Sequence, residues 1–397
     1  MLELDVYLSN ALKESCPSMH TTRLQAVLDV AAGLRMSQNL SLSELGRNLP
    51  GDAQLKNKIK KVDRLEGNKK LHNELYYLYQ GLSHFVFTYI SHDTSVPLIV
   101  DVCCLKDDRE IQMLSAEVAV KGRSIPLYRE VYHDSETKGR AKNFLKELSL
   151  CLPRNREVIV IMDAGFYDEW FQEIAALGWY WLCRIRGTKS VKLSGEFEWK
   201  TIQELIPDIK PKTAHYEHAL LTKDHKRPCR MVTTYRQPKG RKVKTSRGKT
   251  TSTVSNGSYS QANKEPWILA TNLSLEYTPV DIVNLYFKRM QIEESFRDVK
   301  SHQFGLSGRY VRTSSVDRWG VKMLLAAIVQ ITYWVIGVIA HSQNKQKYFQ
   351  ANTVKDKKVF SYFTLGKLMI EHNQLSSLAP DSRTLQDIIE QELNRVW

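Results

Sequence analysis

None of the six cysteines in this sequence forms a Cys-x-x-Cys pair, and two of them, Cys103 and Cys104, are neighbours inside an apolar run. That pattern offers neither a zinc site nor a disulfide framework, and it suits a reducing compartment. Prolines number only 12 in 397 residues, too few for a collagen-like or proline-rich disordered chain, and no internal repeat suggests a solenoid. The opening stretch, MLELDVYLSNALKESC, has early acidic residues and lacks the basic flank and small-residue cleavage site of a secretion signal. A cytoplasmic location is therefore expected. Acidic residues are in deficit: 43 Asp and Glu against 57 Lys and Arg leave a net charge of +14. Such an excess suits a polyanionic partner, either nucleic acid or an anionic membrane surface. Long apolar runs are absent apart from residues 323–340, which carry no charge and reach the minimum length of a membrane span. Gln330 and Thr332 within that run fit a buried core helix equally well.

With 42% apolar residues and a length of about two to three domains, the chain is a folded globular protein. Residues 1–90 read as helices. Within them, SELGRNLP suggests a short helix, and KNKIKKVDRLEG places Ile59, Val62 and Leu65 at helical spacing. That second segment is basic: Lys56, Lys58, Lys60, Lys61, Arg64, Lys69 and Lys70 face only Asp63 and Glu66. A helical pair with a basic second member can lay that member in a DNA groove; a solvated helix face is the alternative. After Pro97 the periodicity becomes strand-like. PLIVDVCCL, EIQMLSAEVAV and SIPLYREVYH read as strands, KNFLKELSLCL as a helix, and EVIVIMDAGF, YDEWFQEIAAL and WYWLCRIRG as strand, helix and strand. The series suggests a mixed sheet with helices on its faces. Asp101 follows PLIV and Asp163 follows VIVIM, each expected at the end of an apolar strand. A lone carboxylate there is costly to keep charged unless it is paired or binds a cation.

Residues 188–263 read as a β-rich insertion ending in a polar, low-complexity part. Eleven basic residues between Lys223 and Lys249, Arg241 and Lys242 among them, face one acid, Asp224. That density favours contact with a phosphate backbone, or else marks a solvated loop. Another strand, WILATNL, precedes residues 279–300, whose spacing predicts one sustained helix opened by Pro279. At helical pitch Tyr286, Arg289, Glu293 and Lys300 share a stripe about 60° wide, bordering the apolar face of Leu285, Ile292, Phe296 and Val299. A simple Arg–Glu pair four residues apart would explain part of it. The stripe's carboxylate together with two strand-end aspartates could instead hold a pair of divalent cations. Hard oxygen ligands around two Mg²⁺ suit phosphoryl transfer. Asp107 and Asp108 compete with Asp101 for this role, and Glu294 with Glu293.

The run Tyr286-x₂-Arg289-x₃-Glu293-x₆-Lys300 is similar to the Tyr-Arg-Glu-Lys signature of the IS4-family DDE transposases. SELGRNLP, DAGF, KEPWILATNL, KRMQIEESFRD and FQANTV resemble the IS10/Tn10 transposase subgroup, so the likeness covers nearly the whole chain. It implies an α/β protein built on an RNase H-like mixed-sheet catalytic core in two parts, residues 91–187 and 264–345. The β-strand insertion of residues 188–263 interrupts that core. A helical DNA-binding region (residues 1–90) and a helical C-terminal region (residues 346–397), a candidate dimerisation element, flank it. By the same resemblance Asp101, Asp163 and Glu293 are the catalytic, metal-holding triad, with two Mg²⁺ as cofactor and Mn²⁺ expected to substitute. Tyr286, Arg289 and Lys300 hold phosphates, Trp267 takes a flipped base, and Arg184, or its neighbour Arg186, lies near a hairpin. Lys58, Lys60, Lys61, Arg64, Arg241 and Lys242 are expected at DNA. The implied activity is cut-and-paste transposition: two transposon ends in a homodimer, Mg²⁺-dependent cleavage through hairpin intermediates, and joining to target DNA. A host DNA-bending protein is a candidate further partner, and no membrane is involved. An inactive end-binding regulator and a metal-dependent nuclease without strand transfer are the alternatives. The chain departs from its relatives after Asp101, where Val102, Cys103 and Cys104 replace more polar or aromatic residues.

Overall fold

The computed structural model describes residues 3–91, 95–106, 110–136, 138–154, 156–166, 168–206, 213–235, 265–302, 305–354, 359–378 and 382–394. In chain order the elements are α1 (Glu3–Ser15), α2 (Thr21–Ser37), α3 (Leu42–Arg47), α4 (Leu55–Glu66), α5 (Lys69–Phe87), β1 (Val96–Cys104), β2 (Ile111–Val120), β3 (Arg123–His133) and α6 (Arg140–Cys151). There follow β4 (Val158–Met162), α7 (Asp168–Ala176), β5 (Tyr180–Arg184), β6 (Ser190–Leu193), β7 (Lys200–Thr201), α8 (Ile202–Leu205), β8 (Ala214–Leu221), β9 (Arg227–Thr234) and β10 (Trp267–Thr271). The last helices are α9 (Pro279–Phe287), α10 (Met290–Lys300), α11 (Val316–Ser342), α12 (Tyr362–Glu371) and α13 (Ser382–Asn394). Two compact units result: Met1–Val158 with Met290–Trp397, and Ile159–Arg289.

The first unit holds the antiparallel ribbon β3-β2-β1, covered by α5, α6, α10 and α11. The expected strands are present, with one correction. Asp101 does not end its strand: β1 runs on to Cys104, and Asp101 sits inside it opposite Ser115 of β2. The apolar, β-branched stretch does not stop at the aspartate because Val102 and Cys103 extend the ladder onto Leu114 and Met113. Helix α11 is long and apolar enough to cross a membrane, yet residues 323–340 are all buried inside this unit. It is the core helix, capped at its start by Ser315 and packed on α2, α4, α5, α12 and β3.

The N-terminal helices pack by small residues. Gly46 of α3 lies so close to Ile59 of α4 that a Cβ there would overlap the Ile59 side chain. Val62 and Leu65 face inward, as the spacing predicts, while Lys60, Lys61 and Arg64 are exposed and Lys58 is half-buried. At the end of α4 Glu66 is buried against Lys322 of α11, whose Nζ also donates to the Leu40 carbonyl at 2.8 Å.

In the second unit the strand order is β4-β5-β10-β9-β8-β6-β7. The pair β4 and β5 is parallel and the others are antiparallel, so the sheet is mixed. Helix α9 lies on it over a core of Ile159, Ile161, Leu182, Val232, Leu269 and Ile282. Thr278 and Asp281 form a reciprocal cap at its start, with Pro279 in the first turn, where a missing N–H costs nothing. The single helix expected over residues 279–300 is instead two. The N–H groups of Lys288 and Arg289 reach back three residues, to Leu285 and Tyr286, and this tighter turn ends α9 before α10 begins. No proline or glycine marks the break.

Where α11 crosses α12, Gly337 and Gly366 bring backbones into contact: a Cβ on either would overlap a carbonyl oxygen, of Tyr362 or Tyr333 respectively. Gly337→Ala should therefore destabilise the protein by about 1–3 kcal/mol or more through overpacking, read as a lowered Tm. An unchanged Tm would mean the crossing can widen without loss.

Candidate active site

Asp163 leaves the C-terminal end of β4, where side chains emerge from the sheet, and keeps its carboxylate 37% exposed. Tyr286, buried in the core under α9, donates its hydroxyl to Asp163 Oδ1 at 3.1 Å. Arg289, buried at the turn after α9, places Nη1 3.7 Å from Oδ2. The backbone is held as well, since the Asp163 carbonyl accepts from Phe166 N–H at 3.2 Å and from the Cys183 thiol at 3.3 Å. Burial by itself would push the Asp163 carboxyl up, but Arg289, the Ala164 N–H, the Tyr286 hydroxyl and Arg184 outweigh it and hold it below the usual range. Asp163 is thus an anion with hard oxygens at neutral pH. The Tyr286 phenol moves the opposite way: burial and the Asp163 charge raise it, so it remains a proton donor.

Two further predicted residues belong to this unit. Arg184 ends β5 half-buried, and its Nε finds no hydrogen-bond partner among the described residues. Its rival Arg186 is engaged with Glu265 at 3.0 Å. Trp267 opens β10 half-buried, its ring edge-on to Tyr286 at 5.0 Å and tilted against Phe287 at 6.5 Å. It is a rim residue rather than a core one.

Asp101, Glu293 and Lys300 belong to the first unit. Asp101 is half-buried on β1, its Oδ1 accepting from Val102 N–H at 2.8 Å. Helix α10 packs on β1, with Glu293 exposed in its first turn and Lys300 at its end. There the Lys300 Nζ donates to the Cys104 carbonyl at 3.5 Å. Glu294, the competitor of Glu293, is tied to Arg297 at 2.6 Å and Arg123 at 3.5 Å. Cys103 is an inert thiol, pushed up to about 12 by burial. Asp107, Asp108, Arg241 and Lys242 lie outside the described residues, as does most of the basic run. Among the described residues no group of three His, Cys, Asp or Glu stands close enough to share a metal ion. The donors are nonetheless the right kind for Mg²⁺: carboxylates only, one of them held anionic by its surroundings.

On α4 two predicted DNA contacts already have protein partners. Lys58 donates to the Leu49 carbonyl at 2.8 Å and Lys61 pairs with Asp29 at 2.5 Å. Reading the sequence missed the buried pair of Glu117 and Arg129. The signal was present for Glu117, the one charge in the β2 run, but not for Arg129, which stands beside Glu130 in a strand that Arg123 opens.

A family model described as a transposase DDE domain matches residues 108–329, more than half of the chain. The chain belongs to the DDE transposases. The match includes Asp163, Arg184, Trp267, Tyr286, Arg289, Glu293 and Lys300 and begins just after Asp101. No curated protein matches the chain. DDE domains in general use divalent metal ions, and a transposase acts on DNA, so the apolar α11 needs no membrane to explain it.

Asp163 titrates below its ordinary value, so its pairing stabilises the fold above the usual carboxylate range and is lost as pH falls through the lowered value. Arg289→Gln should move the Asp163 midpoint upward in a carboxyl-carbon NMR titration. If the midpoint stays put, Arg289 is not the charge that holds it down.

Proposed function

We propose that this chain is a cut-and-paste transposase of the IS4 family, in the IS10/Tn10 subgroup, built on an RNase H-like core. It would act in the bacterial cytoplasm, on DNA, as a homodimer at two transposon ends. The observation that carries the reading is the convergence of Tyr286 and Arg289 on the anionic Asp163, in a chain of the DDE family. Asp101, Asp163 and Glu293 would hold two Mg²⁺, which lower the pKa of an attacking water and stabilise the leaving oxygen.

The chain's own side chains do the rest. Arg289 and Lys300 offer cationic donors to phosphate oxygens, and Tyr286, kept protonated by burial, offers a neutral one. Water would cleave the transferred strand and release a 3′-OH. That 3′-OH would attack the opposite strand, displacing the flanking DNA and closing a hairpin. A second water would reopen the hairpin and free the 3′-OH again, and that 3′-OH would then attack a target phosphodiester, displacing the target strand's 3′-oxygen. Trp267, on the rim beside Tyr286 and Phe287, suits a base turned out of the stack at the hairpin bend, with Arg184 near the same strand. Exposed Lys60 and Arg64 on α4 suit the phosphates of end DNA. A host DNA-bending protein would assist the bent intermediates.

The reading is tested by strand-resolved cleavage of labelled DNA flanking the gene, with Mg²⁺, comparing wild type with Asp163→Ala and Glu293→Gln. Hairpin-ended product from wild type alone is expected, with Mn²⁺ also supporting it. Open ends with no hairpin would reassign the protein as a nuclease, and binding without cleavage would make it an end-binding regulator. Trp267→Ala should retain first-strand nicking but lose hairpin yield by tenfold or more, since stacking a base on an aromatic ring contributes about 1–3 kcal/mol. The double change Lys60→Ala, Arg64→Ala should weaken end binding and reduce the slope of log affinity against log salt by about 2; an unaltered slope removes α4 from the interface.

A further inference from the structure

Helix α10 carries Glu293 on one side and packs into the first unit through Ile292, Phe296 and Val299 on the other. Apolar contacts of this kind are non-directional and set how deep the helix lies better than how far it is turned about its axis. The turn matters. With side chains reaching about 5–6 Å from the helix axis, a rotation of about 10° moves a side-chain end by about 1 Å, a misplacement that can cost about a hundredfold in rate.

Directional bonds do exist on this face. Glu117 of β2 and Arg129 of β3 form a salt bridge of 2.8 Å with both side chains wholly buried. Glu117 also accepts from Ser115 at 2.7 Å and Ser124 at 2.5 Å, and Arg129 Nε reaches Ser115 at 3.2 Å. The second Arg129 contact leaves the sheet, with Nη2 at 3.4 Å from Ser295 Oγ on α10. From the opposite side Gln330 of α11 donates to the same Oγ at 3.1 Å and to the Ser295 carbonyl at 3.3 Å. Ser295, itself wholly buried, is thus gripped between the sheet and the core helix, one turn or less from Glu293. One turn further on, Arg123 of β3 takes Asp298 at 2.7 Å. A buried ion pair gives little net stability over apolar side chains of the same volume, so stability does not account for Glu117 and Arg129.

We propose that Arg129, fixed by Glu117 and acting through Ser295 with Gln330 as counter-grip, is a positioning residue that sets the rotation of α10 and so aims the Glu293 carboxylate. The inference rests on the reading of Glu293 as a metal ligand. It involves no new chemical step. The Arg129 side chain is wholly buried and acts through Ser295.

The test is Mn²⁺ binding to the full-length protein by titration calorimetry, comparing wild type, Ser295→Ala, Gln330→Met and Glu293→Gln. Tm is measured on each. Ser295→Ala removes one oxygen and no bulk, and Gln330→Met preserves side-chain length, so at least one variant should melt close to wild type. In that variant the Mn²⁺ dissociation constant should rise about tenfold, the scale of losses on removing groups that orient metal ligands. The Mg²⁺ midpoint for end cleavage should rise in parallel. A purely structural defect would lower the active fraction and leave both midpoints in place. Folded Ser295→Ala or Gln330→Met protein with wild-type midpoints overturns the positioning role, while Glu293→Gln that loses Mn²⁺ leaves the metal reading standing. Glu293→Gln binding Mn²⁺ as wild type does would overturn both.

Discussion

A charge removed from water must be met by another charge or by several hydrogen bonds, and the architecture of this transposase follows from where that demand arises. Asp163 meets it with Arg289 and Tyr286, Glu117 with Arg129 and two serines, Glu66 with Lys322, and Asp298 with Arg123. The pairings of Asp163, Glu66 and Asp298 join elements far apart in the chain, and that of Glu117 joins the neighbouring strands β2 and β3, so each fixes a relation that apolar burial alone would leave loose. At Asp163 the compensation is also functional. The same two donors that keep the carboxylate ionised are the groups suited to hold a phosphate, and the Arg289 contact at 3.7 Å is a loose pair rather than a locked fork.

The core helix α11 shows the same constraint from its other side. Its eighteen uncharged residues, 323–340, match a membrane span in composition because they meet protein on every side, and charge would be as costly there as in lipid. Where charge does occur, at Lys322 one residue before the run, it is paired with Glu66 at the end of α4 and shields the Leu40 carbonyl. Burial pulls both groups toward their neutral forms, the lysine downward and the glutamate upward, and each is the other's main support. The basic helix α4 is thereby joined to the middle of the first unit, so its exposed Lys60 and Arg64 project from an anchored base.

Much of this was legible in the sequence because period-two apolar runs and their bounding turns leave local marks. The strands of residues 96–133, the strand ending at Asp163, and the inward set Val62 and Leu65 needed only pattern. For α11 the composition left a membrane span as a minor reading beside the buried core helix, since protein interior and lipid select the same residues. What pattern could not show is set by contacts distant in sequence. Asp101 reads as the end of a strand because a charge interrupts an apolar run, but its ladder partners on β2 carry the strand past it. The break after Phe287 has no breaker residue; it lies where Arg289 turns in toward Asp163, more than 100 residues earlier in the chain. The Arg129 to Ser295 joint spans a similar separation.

That break changes what the Tyr-Arg-Glu-Lys spacing means. Intervals of three, four and seven residues are those of a single helical stripe, and one continuous helix would display all four side chains on one edge. The chain instead divides them after Arg289. Tyr286 and Arg289 close on Asp163, while Glu293 and Lys300 go with α10 to the ribbon that carries Asp101, Lys300 reaching the carbonyl of Cys104 at the end of that strand. Glu293 and Lys300 lie two turns apart on α10, whereas Arg289 follows the end of α9, its N–H reaching back to the Tyr286 carbonyl. Between the halves the interval is set by a tight turn, whose length fixes where one unit hands the chain to the other.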